Sequence, residues 1–364
     1  MSLPDTYREK RVLVTGHTGF KGSWLALWLH RLGAQVYGYS LPPPTTPSLY
    51  QTAGVADVLT GETIGDIRDR EGMRAALAQC QPDVVFHLAA QPLVRDSYVT
   101  PFETFEVNVM GTASVLEAVR GMGRPCAVVC ITTDKCYENR EQLWGYRECD
   151  PMGGHDPYSA SKGAAEILIA SYRRSFFNPA QWLEHGIQLA SARAGNVIGG
   201  GDWARDRIMT DMVTALASGQ PIPVRNPHAI RPWQHVLEPL SGYLTLAASM
   251  LGTPDPNWCE AWNFGPVTGT ELPVSELVDH FVAAWGDGSW FDQSTPGQPH
   301  EASILRLNIE KAAWKLGWQP RWGCAEMVVR TARWYRQVMC QNANARQLCE
   351  DDITAYEQSP SQNG

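Results

Sequence analysis

The sequence predicts an α/β chain, a doubly wound parallel sheet with a smaller C-terminal lobe. Three observations carry that expectation. Near-continuous apolar strands alternate with amphipathic helices through the first half, a pattern that needs cover on both faces of a sheet. A glycine-rich turn joins the first strand to the first helix, and from about Asn196 the texture shifts to shorter elements with more proline and tryptophan.

The elements follow in order. Arg11-Val12-Leu13-Val14-Thr15 is an apolar strand, Gly16-His17-Thr18-Gly19-Phe20-Lys21-Gly22 a turn, and Ser23-Trp24-Leu25-Ala26-Leu27-Trp28-Leu29 a run with large apolar residues at helical spacing. Glycines at such a turn let the backbone approach a pyrophosphate, and the free N–H groups of the helix start favour its charge. The spacing is GxxGxxG instead of the commoner GxGxxG, so by itself it also fits a tight turn without a ligand. A second strand, Gln35-Val36-Tyr37-Gly38-Tyr39-Ser40, runs into a proline-rich loop over 41–47; Asp66-Ile67 ends a third strand-like piece, and 83–90 is a buried fourth strand. A long helix over 101–121, a strand over 126–133, a helix from near Tyr158 and a strand over 188–193 complete a Rossmann-type unit. Cys126 and Cys130 read as small core residues of their strand.

The later part suggests helices over 206–218, 274–285 and 325–337, with a segment around Arg231-Pro232-Trp233-Gln234-His235-Val236 between them. The domain expectation is a dinucleotide-binding unit over 1–195, to which about 232–265 returns. A substrate-binding lobe takes 196–231 and 266–340, and 341–364 reads as a polar, frayed tail. The 14 tryptophans are expected to pack the core and the lobe junction.

Composition narrows the function. A net charge of −8 and no basic run argue against a nucleic-acid surface, so an anionic ligand has to be held by a few placed cations. No apolar run reaches the length of a membrane span, and the first ten residues lack the apolar stretch of a signal peptide, which points to the cytoplasm. Nine cysteines without a CxxC pair suit a reducing compartment, and no His/Cys cluster has metal-ligand spacing, so no metal is expected.

Chemistry is carried by Tyr158-Ser159-Ala160-Ser161-Lys162. A phenol and an ammonium four residues apart share a helix face, and a nearby cation stabilises phenolate, lowering the Tyr158 pKa toward one useful for moving hydroxyl protons. Ligands of such sheets lie beyond the carboxyl ends of the strands, where the glycine turn, Ala89-Ala90 and Thr132-Thr133-Asp134-Lys135 all fall. Together these features specify a redox enzyme.

Gly16-x-x-Gly19-x-x-Gly22, Asp66-Ile67, Leu88-Ala89-Ala90, Asn108, Thr132-Thr133-Asp134, Tyr158-x-x-x-Lys162 and Arg193-x-x-Asn196-Val197 together resemble the extended short-chain dehydrogenase/reductases acting on nucleotide sugars. The resemblance covers roughly residues 10–340. Within the group the chain looks like the 4,6-dehydratases, most closely the CDP-glucose branch, because Asp134-Lys135-Cys136-Tyr137 stands where sister enzymes place an Asp-Glu pair. The glycine turn and Tyr39-Ser40-Leu41-Pro42-Pro43-Pro44 look like that branch too.

The resemblance implies NAD as cofactor, CDP-glucose as substrate and a homodimer formed through the helices over 101–121 and 159–177. It implies a dinucleotide site of Gly16, His17, Gly19, Phe20, Gly22, Ser40, Asp66, Ile67, Leu88, Ala89, Ala90, Asn108, Thr132, Tyr158 and Lys162, and a substrate site with Asn196, Arg207, Arg231 and His300. Tyr158, helped by Lys162 and hydrogen-bonded with Thr133, takes the proton of the sugar's 4-hydroxyl while hydride leaves carbon 4 for NAD. Lys135 then removes the proton at carbon 5, Asp134 as an acid protonates the departing 6-hydroxyl, and hydride returns to carbon 6. The product expected is a 4-keto-6-deoxy sugar for deoxysugar and surface-polysaccharide synthesis.

Plainer readings stand beside these. Asp134-Lys135 also fits a solvated pair, Asp66 a loop acid, Asn108 a helix-ordering residue, Arg193 a structural ion, Arg207 a solvated helix-start charge and His300 a surface histidine. No acid ends the second strand to hold a ribose; Ser40 is expected to donate there instead, and NADP stays open if Arg68 or Lys21 reaches that corner. A 4-epimerase or reductase of the same fold is the nearest alternative activity, and a non-catalytic dinucleotide-binding regulator a more distant one.

Overall fold

Seven strands pair in parallel in the computed structural model, which describes residues 2–252, 255–294 and 304–362. They are β1 (Arg11–Thr15), β2 (Gln35–Ser40), β3 (Gly61–Ile64), β4 (Val84–His87), β5 (Cys126–Ile131), β6 (Ile187–Ala194) and, after four short lobe strands, β11 (Ala261–Phe264). Their order is β11-β6-β5-β4-β1-β2-β3, so chain direction across the sheet reverses between β1 and β4 and opens a crevice there.

Period-two alternation builds the two faces. Val12 and Val14 enter one core with Phe86 and Val129, while Leu13 enters the other with Val85, Val128, Cys126 and Cys130. β4, β5 and β6 are buried along their whole length, which is why they read as unbroken apolar runs.

Two boundaries fall short of expectation, and both place chemistry on turns. β3 ends at Ile64, so Asp66 and Ile67 lie in the turn beyond it, and β5 ends at Ile131, which leaves Thr132 to Lys135 outside the sheet. The long helix is interrupted: Pro101–Phe105 is α, Glu106–Gly111 is π and Thr112–Arg120 is α again. Gly111 opens the wall there, since a Cβ on it would lie 2.5 Å from the Ile67 side chain.

The second lobe uses small pairings: β7 (Val197–Ile198) with β10 (Gln234–His235), β8 (Ile222–Val224) with β13 (Trp290–Asp292), and β9 (Ile230–Arg231) with β12 (Leu272–Pro273). Its helices are Ile208–Ala217, Val274–Trp285 and Cys324–Gln341, and the Leu237–Leu251 helix packs against β5 before β11 joins the sheet edge.

The expected frayed tail is instead a helix, Ala345–Gln358. Ala345, Leu348, Cys349, Ile353 and Tyr356 recur at helical spacing and bury one face. Trp28 of the glycine-turn helix donates to Glu357 at 2.9 Å and packs edge-on against Tyr356. Tryptophan placement needs a correction as well: Trp24, Trp28, Trp262 and Trp334 are fully buried, but Trp144 and Trp314 are exposed.

Candidate functional site

The crevice begins at the glycine turn. Gly16 has φ +78°, and a Cβ on it would sit 2.8 Å from the Ala89 nitrogen, so only glycine fits between β1 and the Leu88–Ala90 turn. A Cβ on Gly22 would collide with the Gly16 carbonyl oxygen. Gly19 begins the Phe20–Arg31 helix without a side-chain cap, and a Cβ there would meet one atom, at 3.4 Å. Uncapped first-turn N–H groups above a cradle bare of side chains fit a dinucleotide pyrophosphate.

At the adenosine end the side chains have been taken up by one another. Thr18 donates to the Leu41 carbonyl at 2.9 Å, so its contact with Ser40 at 2.8 Å is a bond that Ser40 donates. Ser40 is thus bonded within the protein at the corner where a ribose contact was expected of it. The Asp66 carboxylate is held by Arg68 at 2.6 Å, and that hydrogen bond keeps Asp66 below the usual carboxylate range. Arg68 also pairs with Glu103 and Glu106, which leaves it poorly placed for a 2′-phosphate. The His17 ring lies against Gly38, bonded to Glu62 at 2.6 Å, and burial lowers its pKa.

Two residues expected at the dinucleotide also brace the site. Asn108 donates to Ser161 at 2.8 Å and to the Gln91 carbonyl at 3.1 Å, and accepts from the Gln91 nitrogen, tying the β4 turn to the Tyr158 helix. Thr132 donates to Glu166 at 2.5 Å. Ile67 is buried, whereas Leu88, Ala89, Ala90 and Phe20 stay half-buried along the crevice.

At the catalytic end the Pro157–Ser175 helix starts on an Asp156 cap, which orients its first turn. Tyr158 and Lys162 are both buried, and Lys162 Nζ donates to the Ile131 carbonyl at 3.3 Å. The expected lowering of the phenol is overturned: burial pushes Tyr158 up to about 12, against a Thr133 hydrogen bond and the Arg207 charge. Burial likewise brings Lys162 down to about 8. Thr133 donates to Asp134 Oδ1 at 3.0 Å, while Asp134 Oδ2 is buried without a hydrogen-bond partner among the described residues. Burial raises the Asp134 carboxyl above its ordinary range despite Lys135, Thr133 and Lys21, which is the direction an acid donor requires. Asp134 and Lys135 are therefore no solvated pair; Asp134 is buried and Lys135 half-buried beside it.

Arg207 starts the Ile208–Ala217 helix, its charge acts on Tyr158, Lys21 and Asp202, and its Nε is buried without a hydrogen-bond partner. The solvated helix-start charge is its neighbour Arg205, paired with Asp96. Arg231 lies on β9 and donates to the Ile230 carbonyl, and the Asn196 carbonyl accepts from Gln234. His300 lies outside the described residues.

Several site residues were not anticipated. Lys21, mentioned only for the ribose corner, faces Asp134, Lys162 and Asp202, and burial with Arg207 lowers it to about 8. Gly195 leaves room for Asp134, since a Cβ on it would lie 2.7 Å from Oδ2. The Tyr243 hydroxyl, on the Leu237–Leu251 helix, is buried without a partner, and Asp134 and Tyr158 act on it electrostatically. None of these could be found from motif spacing, because each reaches the site from a separate element. A separate cavity of about 330 Å³ lies near the start of β6, lined by Trp182, Leu183, Gln188 and Cys259, away from this chemistry.

Comparison with known proteins agrees with this geometry. The family model described as GDP-mannose 4,6 dehydratase matches residues 13–256. A CDP-glucose 4,6-dehydratase of Salmonella typhimurium is 52% identical over 330 residues, covering 91% of each chain. A dTDP-glucose 4,6-dehydratase of Streptomyces venezuelae solved with NAD superposes with a TM-score of 0.75 at 25% identity, covering 90% of this chain and 97% of that one. A UDP-glucose 4-epimerase of Thermus thermophilus in complex with NAD gives a TM-score of 0.75 at 25% identity, over 90% and 99% of the two chains.

Proposed function

We propose that this chain, which belongs to the GDP-mannose 4,6-dehydratase family, is an NAD-dependent lyase that converts CDP-glucose to CDP-4-keto-6-deoxyglucose. The observation that carries the elimination step is Asp134: a buried carboxyl, raised toward its acid form, with one oxygen unpartnered beside Lys135. A simple epimerase has no use for that pair. CDP-glucose as the substrate rests on the 52% identity to the Salmonella enzyme.

The glycine cradle and the Leu88–Ala90 turn would hold the dinucleotide, which when bound supplies the acceptor and later the donor of two electrons. NAD is preferred to NADP because Arg68 is bound by three acids and Lys21 faces the catalytic end. Tyr158, hydrogen-bonded with Thr133, acts as the phenolate that the neighbouring Lys162 ammonium favours; it takes the proton of the 4-hydroxyl and becomes the neutral phenol. Lys135, as a neutral amine, takes the proton at carbon 5, and Asp134 delivers one to the departing 6-hydroxyl. Arg207 holds the diphosphate, with Arg231 and Asn196 on the lobe side and His300 as a further substrate residue.

A homodimer is supported by exposed apolar side chains on the Tyr158 helix and the helices beside it: Val99 is 81% and Phe102 76% exposed, with Met110 and Ile167 also open. The cytoplasm is supported by nine free thiols, and among the described residues no helix is long and apolar enough to cross a membrane.

The test is parallel turnover of CDP-, dTDP-, GDP- and UDP-glucose with NAD, read by the alkaline absorbance of a 4-keto sugar and by solvent deuterium at carbon 5. Fastest turnover of CDP-glucose with label at carbon 5 is expected. A product lacking that label would return the chain to the epimerases.

A further inference from the structure

We infer that the buried Glu166–Arg193 ion pair is a positioning device that sets the elimination pair, Asp134 and Lys135, against the Tyr158 helix. The inference rests on the function proposed above. Tyr158, Lys162 and Glu166 follow one another at four-residue intervals and so share one face of the Pro157–Ser175 helix. The first two serve the sugar's 4-hydroxyl; Glu166 reaches past them to the turn after β5.

That turn is fastened at both ends to the same pair. At its start Thr132 donates to Glu166 Oε1 at 2.5 Å; at its far end Arg193 Nη1 donates to the Tyr137 hydroxyl at 2.6 Å, and Tyr137 donates on to Asn263 at 2.7 Å. Arg193 Nη2 closes the circuit on Glu166 Oε2 at 2.7 Å, and Ser191 of β6 donates to the same oxygen. Thr133, Asp134 and Lys135 hang between those two fastenings. Both ions are buried, and although burial alone would raise Glu166, Arg193 and the hydroxyl donors hold it ionised.

A buried pair of this kind contributes little net stability over an apolar replacement, so its use has to be sought in geometry. The geometry here is specific. The Tyr158 helix, β6 and the 132–137 turn come from distant parts of the chain, and Glu166 touches all of them through one carboxylate. Displacing a reacting group by about an ångström costs on the order of a hundredfold in rate. Loosening the turn should therefore slow proton removal at carbon 5 and loss of the 6-hydroxyl more than it slows oxidation at carbon 4, which is served by Tyr158 and Lys162 on the helix itself.

The experiment compares wild type with Glu166→Gln and Tyr137→Phe on CDP-glucose deuterated separately at carbon 4 and at carbon 5, with melting curves alongside. Tyr137→Phe keeps the ion pair and removes only the hydroxyl bonds to Arg193 and Asn263 at the far end of the turn, so it covers the case in which Glu166→Gln does not fold. The expected result is a kcat lower by roughly tenfold to a hundredfold, KM within about twofold, and a deuterium effect that grows at carbon 5 and shrinks at carbon 4 relative to wild type. Variants that fold and keep the wild-type ratio of the two isotope effects, whatever their melting temperature, would overturn the inference. Wild-type protein that makes no 4-keto sugar would instead overturn the proposed function, and the inference with it.

Discussion

The two ends of the crevice are built on opposite plans. At the adenosine end the polar groups face one another: Ser40 with Thr18, Asp66 with Arg68, His17 with Glu62. At the sugar end Asp134 Oδ2, Arg207 Nε and the Tyr243 hydroxyl are buried without hydrogen-bond partners among the described residues, against His17 Nδ1 at the adenosine end. Leaving a buried polar atom unsatisfied costs about 1–3 kcal/mol, a cost that a bound ligand would recover at these three. One end is largely paired within itself, and the other holds more buried atoms without partners.

If that contrast is right, substitutions at the sugar end cost activity and those at the adenosine end cost little. The largest effect is expected for Tyr158→Phe, which removes the proton acceptor while keeping the ring. Loss of roughly a thousandfold in kcat with an unchanged melting temperature is the expected outcome, and a loss under about tenfold would break the contrast at its strongest point.

Asp134→Asn should follow, with about a hundredfold loss in kcat. It also tests the stability side. A carboxyl raised on folding binds its proton more tightly in the folded state, so its cost to stability is absent below the unfolded pKa and grows as pH rises through the folded one. Asparagine carries no such cost. The variant should therefore melt above wild type at pH 8, with the gap closing toward pH 4; a variant melting lower at pH 8 means that Oδ2 was satisfied after all. By the same sign, steps that need protonated Asp134 should fade as pH rises through its raised pKa.

Ser40→Ala sharpens the other end. Because Ser40 spends its proton on Thr18, equilibrium titration should show NAD affinity changed by less than about fivefold, the equivalent of about 1 kcal/mol. A larger loss would place the hydroxyl on the ribose.

Much of the scaffold was legible in the chain. Apolar runs marked the buried strands, the glycine turn marked the first crossover, and the four-residue step from Tyr158 to Lys162 marked a shared helix face. Misreadings came where composition concealed periodicity or where side chains pair across elements. The Ala345–Gln358 helix looked like a tail because its exposed face is so polar, although Leu348, Cys349, Ile353 and Tyr356 kept helical spacing. The bonds of the Thr132 hydroxyl to Glu166 and of the Asn108 amide to Ser161 were not legible either, each partner lying more than thirty positions away.

Local order in the chain determined which segments become strand, turn and helix, since those depend on neighbours one to four positions apart. It determined too that a phenol and an amine share one face beneath a bare-backbone cradle. Tertiary structure alone decided how the polar groups were paired: that Ser40 is bonded to Thr18, that Arg207 and Asp134 each keep an atom without a hydrogen-bond partner, and that burial lifts Tyr158 by more than the nearby cation lowers it. Desolvation and hydrogen-bond satisfaction are sums over everything within a few ångströms, and those neighbours are brought together only by the closed sheet and its lobe.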